Sequence, residues 1–403
     1  MRRRSSTRRG AVSGTGEPFP RGHPLRFSAV RLRGWRNFPR VDVAMPWRVF
    51  LVGPNASGKS NFLGAIEFLR DVATAGGLQL AVETRGGMEA LLSHGSTRST
   101  VLVGVKVQED GIGAVWDYEV EFGQGESEQT EIKRETVARD GARLLIRPNA
   151  DDSRDPRRLS QTSLEQVSVN EPFRELVELI GSVRCHHMVP QLMRTPELHA
   201  FSPRDFHGSD FLARIGEMSE GDRDHLISIM RSVLRSAIPQ LADFKAVRDV
   251  RGDVHLAASY RHWRDPSAYE VERAFSDGTL RLAGVLWALL DGTGPVLLEE
   301  PELNLHPGVV QTLPQLFARF QTMARRQIIV STHSSELLSD EGIGVDEVLL
   351  FLPGDHGTEV RVAGSLEETR ALLEGGLTMA DVAIPRTQPN TLGDLPTRLE
   401  AEL

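Results

Sequence analysis

Apolar and polar residues alternate along Leu25–Arg33 and again along Val41–Met45, and a period of two predicts strands. Trp47–Val52 is a short apolar run that ends in a Gly-rich turn, which reads as a third strand. The period then changes. Phe62, Ile66, Leu69 and Val72 recur at helical spacing within Lys59–Ala75. Alternation returns over Thr100–Val107, Ala114–Phe122 and Thr130–Ala138, separated by Gly, Glu and Asp turns, and predicts an antiparallel layer. Pro148–Ser160 is polar and reads as an exposed loop. Helical spacing marks Glu171–Ile180 and Glu220–Ala237. Beyond them come short strands at Val254–Tyr260 and Tyr269–Phe275, then a helix over Thr279–Leu290 and a strand over Val296–Glu299. A helix over about Gly308–Arg325 and a strand over Gln327–Thr332 follow, with Asp346–Leu352 and Thr358–Val362 closing the pattern. Strand alternating with helix implies a parallel α/β sheet.

Composition narrows the class. The chain has 403 residues, 40% hydrophobic and 25% charged, with a net charge of −8, ordinary for a globular protein. The longest apolar run, Leu282–Leu290, is about half of what a membrane span needs. The single cysteine, Cys185, rules out an intramolecular disulfide or a cysteine metal cluster and favours a reducing, cytoplasmic setting. Residues 1–24 carry six arginines against Glu17, leaving the rest of the chain at −13. They read as a disordered basic tail, with a nucleic-acid-touching arm as the alternative. An acidic body argues against a wide nucleic-acid surface. The basic residues Lys133, Arg134, Arg139, Arg143 and Arg147 are interspersed with acids and read as a solvated sheet face. Adjacent histidines on a strand point opposite ways, so Cys185-His186-His187 reads as structural.

Only four lysines are present, and Lys59 stands in the most telling place. Residues 53–60 read Gly53-Pro54-Asn55-Ala56-Ser57-Gly58-Lys59-Ser60, between an expected strand and an expected helix, the context that confirms a phosphate loop. Gly53 and Gly58 let the backbone curl its N–H groups toward phosphate. The helix running on through Asn61 adds its positive end. Lys59 offers a point charge to the β- and γ-phosphates, and Ser60 a hydroxyl to Mg²⁺.

The strand Val296–Glu299 delivers Glu299 and Glu300 to its C-terminal end, where α/β sheets place ligands. Glu299 suits a direct or water-mediated Mg²⁺ contact, and Glu300 suits polarisation of an attacking water. The next strand ends in His333, placed to reach a γ-phosphate. Ser276 and Gly278, at the start of the Thr279–Leu290 helix, make a second anion site or a plain N-cap.

These motifs in this order resemble the ATPase head of the ATP-binding-cassette type, and more narrowly the RecF/SMC/OLD-like group of AAA family ATPases. The resemblance rests on Arg33–Phe38, Gly53–Ser60, Ser276–Thr279, Glu299–Glu302 with His306-Pro307, and Ser331–Ser334, and it spans about residues 25–363. It implies a P-loop NTPase with a mixed central sheet, an antiparallel β lobe and a helical insertion. The expected division is a lobe over 25–147, a mostly helical insertion over 148–245, a second lobe over 246–364 and a tail over 365–403. It implies Mg·ATP held between two protomers in a homodimer or larger assembly, with Ser276 and Gly278 completing the partner's site and Arg36 or Asn37 near the base. The usual aspartate is Glu299 here, and the signature departs from Ser-Gly-Gly-Gln, which argues against a transporter ATPase. The resemblance does not assign the family's Mg-contacting glutamine; Gln79 and Gln191 are the two candidates. No sustained heptads appear, and the 70 residues after His333 hold no D-x-D cluster, so neither coiled-coil arms nor a nuclease in the same chain is expected. Relatives of this kind imply an ATPase switch that works with a separately encoded nuclease in defence against phage or plasmids; the alternative is a RecF-like protein that binds DNA directly.

Overall fold

The computed structural model describes residues 22–388, apart from 75, 94–98, 110–112, 114, 126–128, 196–206, 262–264 and 266–267. The expected tail over residues 1–24 therefore lies, up to residue 21, outside the described residues. The strands are β1 (Leu25–Trp35), β2 (Phe38–Ala44), β3 (Arg48–Val52), β4 (Thr100–Glu109), β5 (Val115–Gln124), β6 (Thr130–Arg139), β7 (Ala142–Arg147) and β8 (Arg184–His186). They continue with β9 (Leu241–Arg248), β10 (Val254–Tyr260), β11 (Glu270–Val271), β12 (Val296–Glu299), β13 (Ile328–Thr332), β14 (Val348–Gly354) and β15 (Gly357–Val362).

They form three sheets. One is antiparallel, in the order β2-β1-β4-β5-β6-β7. Alternation along β5 shows why: Trp116, Tyr118, Val120 and Phe122 are buried, while the intervening acids face the other side, where Arg31 pairs with Asp117 and Glu119. The central sheet runs β15-β14-β3-β13-β12-β8, parallel except for the β14–β15 hairpin. A small third sheet, β11-β10-β9, is antiparallel. The mixed α/β architecture expected from the pattern is the one observed.

The central sheet is buried on both faces, as parallel strands require. Val49 and Leu51 of β3 enter one core, with Leu297 and Ile329. Phe50 and Val52 enter another, with Leu298, Val330 and the helix Asp277–Leu290. The first core lies against the antiparallel sheet and the helix Lys59–Val72. In it, Trp35 and Phe68 sit 5.3 Å apart and Phe68 stacks on Phe122 at 5.1 Å.

The strand expected over Tyr269–Phe275 is only β11. Glu272 turns inward, 1% exposed, to meet His255 Nδ1 at 2.7 Å and to accept the Leu256 N–H at 2.9 Å. The helix expected over 308–325 is two, Pro307–Val310 and Leu313–Ala324; Pro314 is tolerated in the first turn of the second, where an N–H has no helical partner. Residues 365–388 contain two helices, Glu367–Glu374 and Met379–Thr387; the rest of that expected tail lies outside the described residues.

Two expectations fail at Pro148–Ser160. The segment contains a helix, Ala150–Arg154, closed by a reciprocal cap between Asn149 and Asp152. Arg147 does not face solvent with Lys133 and Arg134. It is buried between Glu135, at 3.0 Å, and Asp152, at 2.8 Å, and it also donates to the carbonyls of Arg158 and Gln161. Burial pushes the Glu135 carboxyl up, opposed by hydrogen bonds from Ser163 and by Arg147. Removing one partner of such a triad leaves charge stranded in a low-dielectric interior. Arg147→Met should therefore cost about 3–5 kcal/mol of stability, read by urea denaturation; a cost below about 1 kcal/mol would place this network among surface pairs.

Candidate functional site

β3, β13 and β12 are neighbours in the central sheet, and their C-terminal ends carry the candidate groups. After β3 the chain makes the loop 53–58 and enters the helix Lys59–Val72, whose N-cap is Gly58 with no side-chain cap, so its first N–H groups are open to a ligand. Gly53 has no room for a side chain: a Cβ would lie 2.6 Å from Ser57 Oγ and 2.7 Å from Phe351 Cβ. Gly58 has φ 99°, and a Cβ there would meet the Asn37 amide at 2.2 Å. Ala56 also adopts a left-handed φ of 62°, so the loop carries backbone strain of the kind found at functional sites.

The N-terminal motif braces this loop. Asn37 Nδ2 donates to the Ser57 carbonyl at 2.9 Å, and Asn61 Nδ2 donates to Asn37 Oδ1 at 2.7 Å. Arg36 Nη1 donates to Asn61 Oδ1 at 2.8 Å, and Trp35 Nε1 to the Asn61 carbonyl at 2.8 Å. Burial, with Arg85 nearby, pulls the Arg36 pKa down.

Lys59 is buried and donates to the Gly53 and Pro54 carbonyls at 2.8 and 3.1 Å. Burial lowers its pKa, opposed by Glu300, Glu302 and Glu299. Ser60 Oγ donates to Glu299 Oε1, so the two groups expected at a metal converge. Glu300 follows β12 in a left-handed conformation, φ 44°, held by its N–H to the Ser331 carbonyl at 3.0 Å. Its Oε1 lies 3.1 Å from His333 Nδ1. Phosphate loop, acidic pair and histidine thus come from separate parts of the chain into one cluster. The donor set fits Mg·ATP: oxygen ligands from Ser60 and Glu299 suit a hard cation, the helix Lys59–Val72 opens with N–H groups that no side chain caps, and Ser57 Oγ is buried in the loop with no hydrogen-bond partner.

Ser276 and Gly278 begin a different helix, Asp277–Leu290. Ser276 is exposed and caps the helix Asp277–Leu290, its Oγ accepting the Thr279 N–H at 3.2 Å. Asp277 is clamped by Arg194 at 2.6 Å and Gln191 at 3.2 Å. Gln191 is thereby engaged away from Glu299. Gln79 is too: it bonds the backbone of Thr130 and Ser160. The residue beside the acidic strand is His187, which follows β8; β8 pairs with β12 in parallel, and the His187 ring hydrogen-bonds the Glu299 backbone. Sequence reasoning missed this placement because β8 is three residues long and carries no motif. Cys185 and His186 are buried, and His186 lies edge-on to Trp287 at 5.1 Å; among the described residues no cluster of His, Cys, Asp and Glu suits a metal.

The fold and this cluster define a P-loop NTPase of the SMC-head, ABC-type class. The family profile described as "AAA domain, putative AbiEii toxin, Type IV TA system" matches residues 48–180 and 198–339, and the chain belongs to that family. Among curated proteins there is no sequence match. Among solved structures the chain is similar to an SmcHead bound to the C-winged helix domain of ScpA, at 14% identity and TM-score 0.53, covering 83% of this chain and 97% of that one. It is also similar to an Smc head domain with an extended coiled coil bound to the C-terminal domain of ScpA, derived from Pyrococcus furiosus, at 12% identity and TM-score 0.53, covering 87% and 99%. At such identities the likeness concerns the fold. Among the described residues the longest helix is Glu220–Ala237, 18 residues, so they contain no coiled-coil arm, and no helix is long and apolar enough to cross a membrane.

Proposed function

We propose that this chain is a Mg-dependent ATPase head that dimerises around ATP and serves as a switch for a separately encoded nuclease in defence against phage or plasmids. We take it to be divided into a 25–147 lobe, a mostly helical 148–245 insertion and a 246–364 lobe. The observation that carries the reading is a site in two halves. Residues 53–61 with Glu299, Glu300 and His333 make one half, while the exposed Ser276 and the adjoining Gly278 begin a helix whose cap bonds stay within its own first turn. A second copy supplies the missing half. The family's description supports a role in defence.

In this mechanism the loop N–H groups and helix N-terminus take the β- and γ-phosphates. Lys59 exchanges its bonds to Gly53 and Pro54 for phosphate oxygen. Ser60 and Glu299 would hold Mg²⁺, which would offset phosphate charge. Glu300 accepts the proton of the attacking water, and His333, beside it, steadies charge developing on the γ-phosphoryl group. Arg36 and Asn61 keep the loop in shape.

Light scattering tests the reading. Mg·ATP should raise the solution mass to a dimer or larger, and Ser276→Arg should block that rise while leaving ATP binding by the monomer within about threefold, since the added side chain occupies the partner's half only. A mass that stays monomeric with ATP would sink the two-halves arrangement. The direct-DNA alternative predicts steeply salt-dependent binding by the isolated protein. Against it, the outward face of the antiparallel sheet pairs its arginines with acids, Arg31 with Asp117 and Glu119 and Arg134 with Glu119.

A further inference from the structure

Arg281 lies on the helix that Ser276 caps, three residues beyond Gly278 and so on the same face. That face meets the turn after β12 backbone to backbone: a Cβ on Gly278 would lie 2.8 Å from the Asn304 carbonyl. Asn304 itself is left-handed, φ 63°, so the turn is shaped for this contact. Arg281 is 3% exposed, yet its Nε and Nη1 have no hydrogen-bond partner. The carboxylate acting most strongly on it is Glu302, ahead of Glu300 and Asp277. Glu302 is buried as well. One of its oxygens accepts the Thr332 hydroxyl at 2.5 Å, and the other has no partner. An arginine and a carboxyl group, each with unsatisfied polar atoms, are thus both buried near the turn after β12; burial pushes the Glu302 carboxyl up, and leaving such groups unpaired is costly.

We propose that Arg281 and Glu302 form a buried ion pair that closes when the partner's nucleotide docks on Ser276 and Gly278, and that this pair positions Glu300 and His333 for hydrolysis. Its attachments suit that task. Glu302 is two residues beyond Glu300, and its other oxygen holds Thr332, the residue before His333. Docking at one half of the site biases the helix, and the pair transmits that bias to the hydrolytic groups of the same chain. Arg281 acts through other groups and is a positioning residue. The inference rests on the two-halves reading above.

The experiment is a double-mutant cycle in ATP turnover with Arg281→Met, Glu302→Gln and the combined variant. Either single should lower kcat by about 30-fold with KM within about threefold, and the double should be no worse than the lower single, because both remove one interaction. Arg281→Lys should recover part of kcat. A loss of folding alone would lower active fraction and melting temperature without this non-additivity. Should Arg281→Met not fold, Arg281→Gln paired with Glu302→Gln completes the same cycle. Losses that multiply in the double, or a kcat within twofold of wild type in either single, would overturn the pair while leaving the ATPase reading intact. A wild-type protein that gains mass with ATP yet never turns it over overturns both, and is distinguished by the first measurement on the unmutated chain.

Discussion

Lys59→Met is expected to abolish ATP binding, with affinity falling about 100-fold or more. Its ammonium is the only lysine at the loop and already sits over the Gly53 and Pro54 carbonyls, the positions from which it can reach a bound phosphate. Burial has stripped part of its hydration and lowers its pKa, a fall that Glu300, Glu302 and Glu299 oppose. A desolvated cation aimed at a polyanion contributes far more than an exposed one, and a 100-fold loss corresponds to about 2.7 kcal/mol. Methionine keeps the volume and loses the charge, so melting temperature should change little. Calorimetric titration of Mg·ATP checks both parts. An affinity within about threefold of wild type would remove residues 53–61 from the nucleotide site.

Glu300→Gln is expected to separate binding from hydrolysis. The amide is nearly isosteric and can keep its contact with His333, but it cannot take a proton from water. Loss of a general base costs roughly 10²–10⁴ in rate, while ATP affinity should be retained because Lys59, Ser60 and Glu299 are untouched. ATP should then accumulate in the dimer, so the variant should show a stable mass increase where wild type shows a transient one. Phosphate release and light scattering on one preparation measure both. A kcat within threefold of wild type would assign the proton to another group, and Glu299 would be examined next.

The parts of the site legible in the sequence are those whose chemistry is local. The loop 53–60 announces itself because the curled backbone needs Gly53 and Gly58, and a Cβ at either would collide within 3 Å. Glu299, Glu300 and His333 were placed by their position at strand ends, and the structure brings them beside the loop. The split of the 308–325 helix and the shortening of β11 were less legible. Each depends on where a particular side chain, Glu272 or Pro314, finds its place in the folded chain.

Distant pairing stayed hidden for a different reason. His187 reaches Glu299 only because β8 lies beside β12, and nothing in three residues specifies a neighbour more than a hundred residues away. Gln79, one of two candidates for a metal-contacting glutamine, is bonded to the backbone of Thr130. Arg147 belonged by spacing to a solvated face, yet it closes a buried triad with Glu135 and Asp152. Arg281 was singled out by no spacing either; only the folded chain buries it on the helix whose Gly278 meets Asn304. By itself, the sequence determined the Gly-rich loop 53–60, the acidic strand end and the order of strand and helix, because these follow from backbone conformation and side-chain period over a few residues. Tertiary structure alone decided which carboxylates are paired, which arginines are buried and which histidine meets the acidic strand, because burial and strand adjacency are set by contacts between segments far apart in the chain.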